Sequence, residues 1–184
     1  DTGEVALLTG GVGAAWNRHS SSVLYPGGCS VPSVESRRSV HVTFLTQDEP
    51  PRITICGGYS SGYKKDCLVL RNGGWIGEEL DDMPDKRTFS ASARLDAGVF
   101  ILGGWFTPSS SVFLRADSRS WEEGPQLPVA MGYGPCAAPI SAHSFLIVYE
   151  THGYEFATKV AGPTSSSARK DGTRRPQLQA ARTS

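Results

Sequence analysis

A short apolar strand ending in a glycine pair recurs along the chain at a near-constant interval, and this recurrence restricts the fold more than any other feature. The copies are Val5-Ala6-Leu7-Leu8-Thr9-Gly10-Gly11, Ile53-Thr54-Ile55-Cys56-Gly57-Gly58 and Val99-Phe100-Ile101-Leu102-Gly103-Gly104. Their second glycines lie 47 and then 46 residues apart. A further 47 residues reach Thr151, just after the apolar run Phe145-Leu146-Ile147-Val148-Tyr149, so a fourth copy carries Glu150-Thr151 where the others have glycine. A fixed period of this length signals stacked repeats, each unable to bury both of its faces alone.

Other marks keep the same register. Trp75 and Trp121 each follow their glycine pair by 17 residues, and Met83-Pro84 and Leu127-Pro128 come next. Between pair and Trp lie Cys67-Leu68-Val69-Leu70 and Val112-Phe113-Leu114, with Val23-Leu24-Tyr25 as the counterpart in the first copy. Short apolar runs separated by Gly, Pro, Ser and Asp clusters indicate an all-β chain. Each unit is expected to hold four strands in order: a first strand such as Thr88 to Leu95, a second closing at the glycines, a third, and a fourth near the Trp. The units run approximately over 1–37, 38–86, 87–132 and 133–184. The fourth strands of the outer copies are expected to be degenerate, since Cys29-Ser30-Val31-Pro32 and Ala168 stand where the Trp would be. Arg182-Thr183-Ser184 matches Arg87-Thr88-Phe89-Ser90 and is expected to open another first strand.

An apolar strand with its Gly-Gly, then an aromatic, a Trp, a Leu-Pro or Met-Pro, and an Arg resembles the kelch repeat. The resemblance implies a β-propeller whose blades are four-stranded antiparallel sheets, with Trp75 and Trp121 packed between neighbouring blades. Kelch rings usually hold six or seven blades. Four units are therefore expected to be part of a larger ring, with a closed four-bladed ring as the alternative. The resemblance further implies a protein-interaction scaffold that binds a protein or peptide partner. The cysteine usage is more similar to secreted invertebrate kelch-like proteins than to intracellular ubiquitin-ligase adaptors. An adaptor that takes an acidic peptide, with a cytoplasmic location, and a galactose-oxidase-like copper enzyme stand as alternatives.

Charge points to no polyanion: 18 basic residues balance 18 acidic ones, so neither nucleic acid nor a membrane surface is expected as a partner. A basic stretch from Lys159 onward is read as a solvated surface segment, with a tail that binds a polyanion as the alternative. The longest clean apolar run, Phe145 to Tyr149, is far short of the ~20 residues of a membrane span. No charged segment followed by an apolar one opens the chain, so no signal peptide is visible.

Catalytic constellations are thin. His19, His41, His143 and His152 show no metal-binding spacing, no CxxC occurs, and no metal or other cofactor is expected. Tyr133 near Cys136 is the nearest suggestion of the copper-enzyme crosslink, and an ordinary strand explains it better. Gly11-Val12-Gly13 and Gly132-Tyr133-Gly134 precede no helix and read as loop glycines, not phosphate sites.

Cys56 closes a second strand and Cys67 opens the third strand of the same unit, which sets them opposite each other in an antiparallel pair. A disulfide is expected there, with buried free thiols as the alternative, and the bond would favour an extracellular setting. Cys29 and Cys136 fall at different repeat phases and are not expected to pair. In such a unit the loop between second and third strands shares a face with the link to the next unit. Partners usually meet loops of this kind. The candidates for binding there are Trp16, Arg18, Arg37, Arg38, Tyr59, Tyr63, Lys64, Lys65, Arg87, Trp105 and Phe106, a mixture of aromatic and cationic residues typical of interface anchors.

Overall fold

The computed structural model describes residues 6–9, 21–24, 38–158 and 178–183. Every regular element among them is a β-strand. The first unit contributes β1 (Ala6–Thr9) and β2 (Ser21–Leu24), an antiparallel pair. Three four-stranded antiparallel sheets follow. The first holds β3 (Val42–Leu45), β4 (Ile53–Cys56), β5 (Cys67–Arg71) and β6 (Gly74–Ile76). The second holds β7 (Ala91–Leu95), β8 (Gly98–Leu102), β9 (Ser111–Arg115) and β10 (Trp121–Glu123). The third holds β11 (Cys136–Ser141), β12 (Ser144–Tyr149), β13 (His152–Thr158) and β14 (Leu178–Thr183). In each sheet the strands pair in chain order, so every unit is built from local pairings.

The last sheet corrects one expectation. Leu178–Thr183 pairs along its whole length with β13, with Arg182 opposite Tyr154. It is the fourth strand of its own unit and not the start of a further first strand. The expected fourth strand near Ala168 falls outside the described residues, as do Cys29 and the strand around it.

Side chains alternate across each strand, and the second sheet is covered on both sides as a result. Phe100 and Leu102 of β8 pack with Phe145, Ile147 and Phe156 of the third sheet. Val99 and Ile101, one residue out of phase, pack with Val42, Phe44, Cys56 and Cys67 of the first sheet. All five residues of β8 are buried for this reason, as a continuous apolar run without alternation requires. Trp121 of β10 is half-buried between the first two sheets, its ring edge-on to Phe44 at 6.2 Å and its Nε1 donating to the Asp81 carbonyl at 3.0 Å.

The glycine pairs have a steric cause. Gly57 and Gly103 are left-handed (φ 66° and 62°), and a Cβ on either would meet the carbonyl oxygen of Arg87 or Met131 at 2.3 or 2.5 Å. The link leaving each sheet thus crosses directly over its glycines, and Gly58 and Gly104 donate their amides to those same carbonyls at 2.8 and 2.9 Å. In the third sheet β12 and β13 join through a two-residue turn, Glu150-Thr151. Glu150 keeps the left-handed φ of 55° without being glycine.

A second set of equivalent positions ties the sheets together. Val40, Phe89 and Gly134, each just ahead of a first strand, are all left-handed (φ 52°, 57° and 58°). The Phe89 amide donates to the Val40 carbonyl at 3.1 Å, and the Gly134 amide to the Phe89 carbonyl at 3.0 Å. Through this relay β7 lies beside β3 on one side and β11 on the other, so the sheets approach one another at their first strands.

Candidate functional site

Two expected surface cations are interior. Arg38 and Arg87 are 2% and 1% exposed. Arg38 donates to the Gly57 carbonyl at 3.2 Å and the Asp66 carbonyl at 3.1 Å, and it pairs with the Asp66 carboxylate. Arg87 donates to the carbonyls of Gly103 at 3.0 Å and Ser110 at 3.3 Å, and to the Ser110 hydroxyl at 2.8 Å. Each guanidinium spans the mouth of the loop between second and third strands and adds donors to the bond that closes it, from the Gly57 amide to the Asp66 carbonyl in one unit and from the Gly103 amide to the Ser110 carbonyl in the next, each at 3.0 Å. A planar fork of donors suits that task. Burial pushes the Arg87 guanidinium down to about 10, with Asp85 acting in the opposite sense. Both arginines hold the loops on which the other candidates stand. Trp16, Arg18 and Arg37 lie outside the described residues.

The remaining candidates come together. Tyr59 and Tyr63, on the ten-residue loop between β4 and β5, meet at 5.1 Å between ring centroids, and Tyr63 meets Phe106 of the next unit at 4.5 Å. Trp105, beside Phe106, packs edge-on against Tyr133 at 4.2 Å, and Tyr133 contacts Phe89 at 5.3 Å. The rings thus form two groups, Tyr59–Tyr63–Phe106 and Trp105–Tyr133–Phe89, which meet where Trp105 and Phe106 adjoin in the chain. Five of them are more than a third exposed: Tyr59 36%, Tyr63 43%, Trp105 46%, Phe106 47% and Tyr133 54%. Lys65 stands beside these rings, half exposed and 3.4 Å from Asp82, and Lys64 is half-buried.

Tyr133 and Phe89 were not among the candidates. Tyr133 attracts notice in the sequence only for its nearness to Cys136; in the fold its ring is engaged with Trp105 and Phe89, while Cys136 is an exposed free thiol. Phe89 is hidden by its position in an ordinary-looking first strand; in the fold it is left-handed (φ 57°) and half-buried against Tyr133.

Cys56 and Cys67 are disulfide-bonded, with Cα atoms 4.1 Å apart and the two residues directly paired across β4 and β5. The bond closes the base of the loop that carries Tyr59 and Tyr63. Among the described residues no group of three or more His, Cys, Asp and Glu converges, and no helix is long and apolar enough to cross a membrane. No protein-family model matches the chain, and no curated protein matches it.

Proposed function

We propose that this chain is part of a kelch-type β-propeller and serves as a protein-interaction scaffold in an oxidising, extracellular compartment. The observation that carries the interaction reading is the pair of adjoining aromatic groups, with five exposed rings, shared between adjacent units. Clustered aromatic rings of this kind are poorly solvated and form the anchors of protein interfaces. Their mounting on loops held at the base by a disulfide and by buried arginines lowers the ordering cost of binding. Lys64 and Lys65 at the rim favour a partner segment that combines acidic and apolar residues. No catalytic role is proposed.

The propeller reading is supported by the repeat phase of a surface that stands open. On the third sheet Ile140 and Val148 are 55% and 44% exposed. In the strand pairing, where Val148 faces Cys136 as Leu102 faces Ala91, they correspond to Leu95 and Leu102, which in the second sheet are buried against the third. A further sheet of the same pattern would cover them in the same register. The compartment is supported by the Cys56–Cys67 bond.

Binding of the chain to an array of acidic-apolar peptides tests the interaction reading. The double substitution Tyr63→Ser with Trp105→Ser is expected to abolish retention on peptides that the unaltered chain binds. Equal retention by both proteins would remove the aromatic face from the proposal, and recovery of both cysteines as free thiols from the native source would shift the choice to an intracellular adaptor.

A further inference from the structure

At the opposite end of the sheets from the aromatic face, the β3–β4 turn of the first sheet meets the β9–β10 turn of the second and encloses a cavity of about 320 Å3. Four arginines from separate parts of the chain line it: Arg52, Arg71, Arg115 and Arg119. Three of them are matched by carboxylates. Arg52 pairs with Asp48 at 2.6 Å and with Glu79, Arg71 with Glu79 at 2.9 Å, and Arg115 with Glu122 at 3.0 Å. Arg119 differs. It donates through Nε to the Glu79 carbonyl at 2.6 Å and through a terminal nitrogen to the Glu78 carbonyl. Both acceptors are neutral, so its guanidinium is anchored but its charge has no carboxylate partner among the contacts of the described residues.

The remaining donors are numerous. A guanidinium carries five N–H groups, and Arg71, 55% exposed, commits one terminal nitrogen to Glu79. The floor of the cavity is apolar: Val99 and Leu114, both buried, with Leu80 and Ala116 beside them. The carboxylates of Asp48 and Glu79 also line the cavity, both paired with Arg52, so four guanidinium groups face two carboxylates and leave an excess of positive charge. That excess above an apolar floor is complementary to a molecule with anionic oxygens at one end and an apolar body at the other. The volume is within the range of small-molecule sites, and guanidinium forks match phosphate and carboxylate oxygens in bidentate geometry.

We infer that this cavity binds a small organic anion, its anionic oxygens held by Arg119 and Arg71 and its apolar part seated on Val99 and Leu114. The site is independent of the aromatic face and of the propeller reading, since it needs only the contact between the first two sheets. It gives a scaffold a ligand-dependent element, because the lining comes from both sheets and an occupant would bridge them.

Phenyl phosphate serves as the probe, titrated into the 184-residue chain and followed by amide chemical shifts and calorimetry. Saturable binding is expected, with shifts concentrated at Val99, Ala116 and Ser118. Inorganic phosphate, which lacks the apolar body, is expected to bind about tenfold more weakly. Arg119→Gln is expected to weaken phenyl phosphate binding about tenfold. Arg71→Gln, at an exposed position with one side-chain partner, should weaken it about threefold without altering the circular dichroism spectrum or the melting temperature. Absence of saturation would overturn the inference. So would shifts centred on Tyr63 and Trp105, affinity for inorganic phosphate equal to that for phenyl phosphate, or unchanged binding in Arg71→Gln.

Discussion

A buried arginine is stable only where its desolvation is offset by fixed acceptors, and Arg87 meets that condition with two carbonyls and a hydroxyl. Arg87→Ala is expected to cost about 3 kcal/mol, since three hydrogen bonds from a buried cation are lost and the two carbonyls keep only neutral donors such as those of Ser90 and Gly103, and urea unfolding would measure the loss. Arg87→Lys should recover less than half of it, a single ammonium being unable to span acceptors that the fork reaches together. His41 supplies a pH dependence. Burial, reinforced by the positive charge of Arg38, holds its imidazole down to about 4 against an ordinary 6.5. Between those values the unfolded chain takes up a proton that the folded chain refuses. Stability contributed by the neutral imidazole is therefore complete above about pH 6.5 and declines as the pH falls towards 4. The gap corresponds to at most about 3 kcal/mol. The melting temperature should fall more steeply over this range in the unaltered chain than in His41→Asn, which has no proton to gain; parallel curves for the two proteins would contradict the assignment.

The elements themselves were largely legible. Strands β4, β5, β8, β9 and β12 fall on the apolar runs that define the period, and β6 and β10 contain the two repeat-phased tryptophans. Trp121→Ala is expected to destabilise by about 3 kcal/mol through loss of its contact with Phe44 and its bond to Asp81; a change below about 1 kcal/mol in denaturant unfolding would place little of its surface between the sheets. Where the pattern misled, the reasons are physical. The last strand is not legible because Leu178–Thr183 has no Trp and lies far beyond the regular spacing, while Arg182-Thr183 copies the start of a first strand. The burial of Arg38 and Arg87 was missed because a charge in a loop shows no partner in the sequence. One signal was present: both arginines sit two residues ahead of a left-handed position, 49 residues apart. The aromatic face was half legible, through Tyr59, Tyr63, Trp105 and Phe106, because loop phase is readable. Its junction with Tyr133 and Phe89 depends on how the units abut. The arginine cavity was not legible at all, since Arg52 and Arg119 are 67 residues apart and only the docking of two sheets brings them together.

In the molecule as a whole, each sheet is stabilised chiefly by its immediate neighbours, as in other repeat architectures. The second sheet buries both faces, and the relay from Val40 through Phe89 to Gly134 repeats the same backbone contact at both boundaries between the four-stranded sheets. One bond lies inside such a boundary. Cys56 and Cys67 are 0% and 1% exposed, and residues of the second sheet cover them. A phosphine reductant applied to the folded chain is expected to leave the bond intact, and to cleave it once guanidinium chloride has separated the sheets; cleavage at equal rates in both conditions would mean that the boundary opens freely. The same enclosure acts in the other direction during synthesis. Oxidant must reach the sulfurs after β4 and β5 have paired and before Val99, Ile101, Val112 and Leu114 have folded over them, and the last of these lies 47 residues beyond Cys67. What the cysteines become is thus decided early, by the surroundings of a half-made chain, and the finished protein carries that decision wherever it later goes.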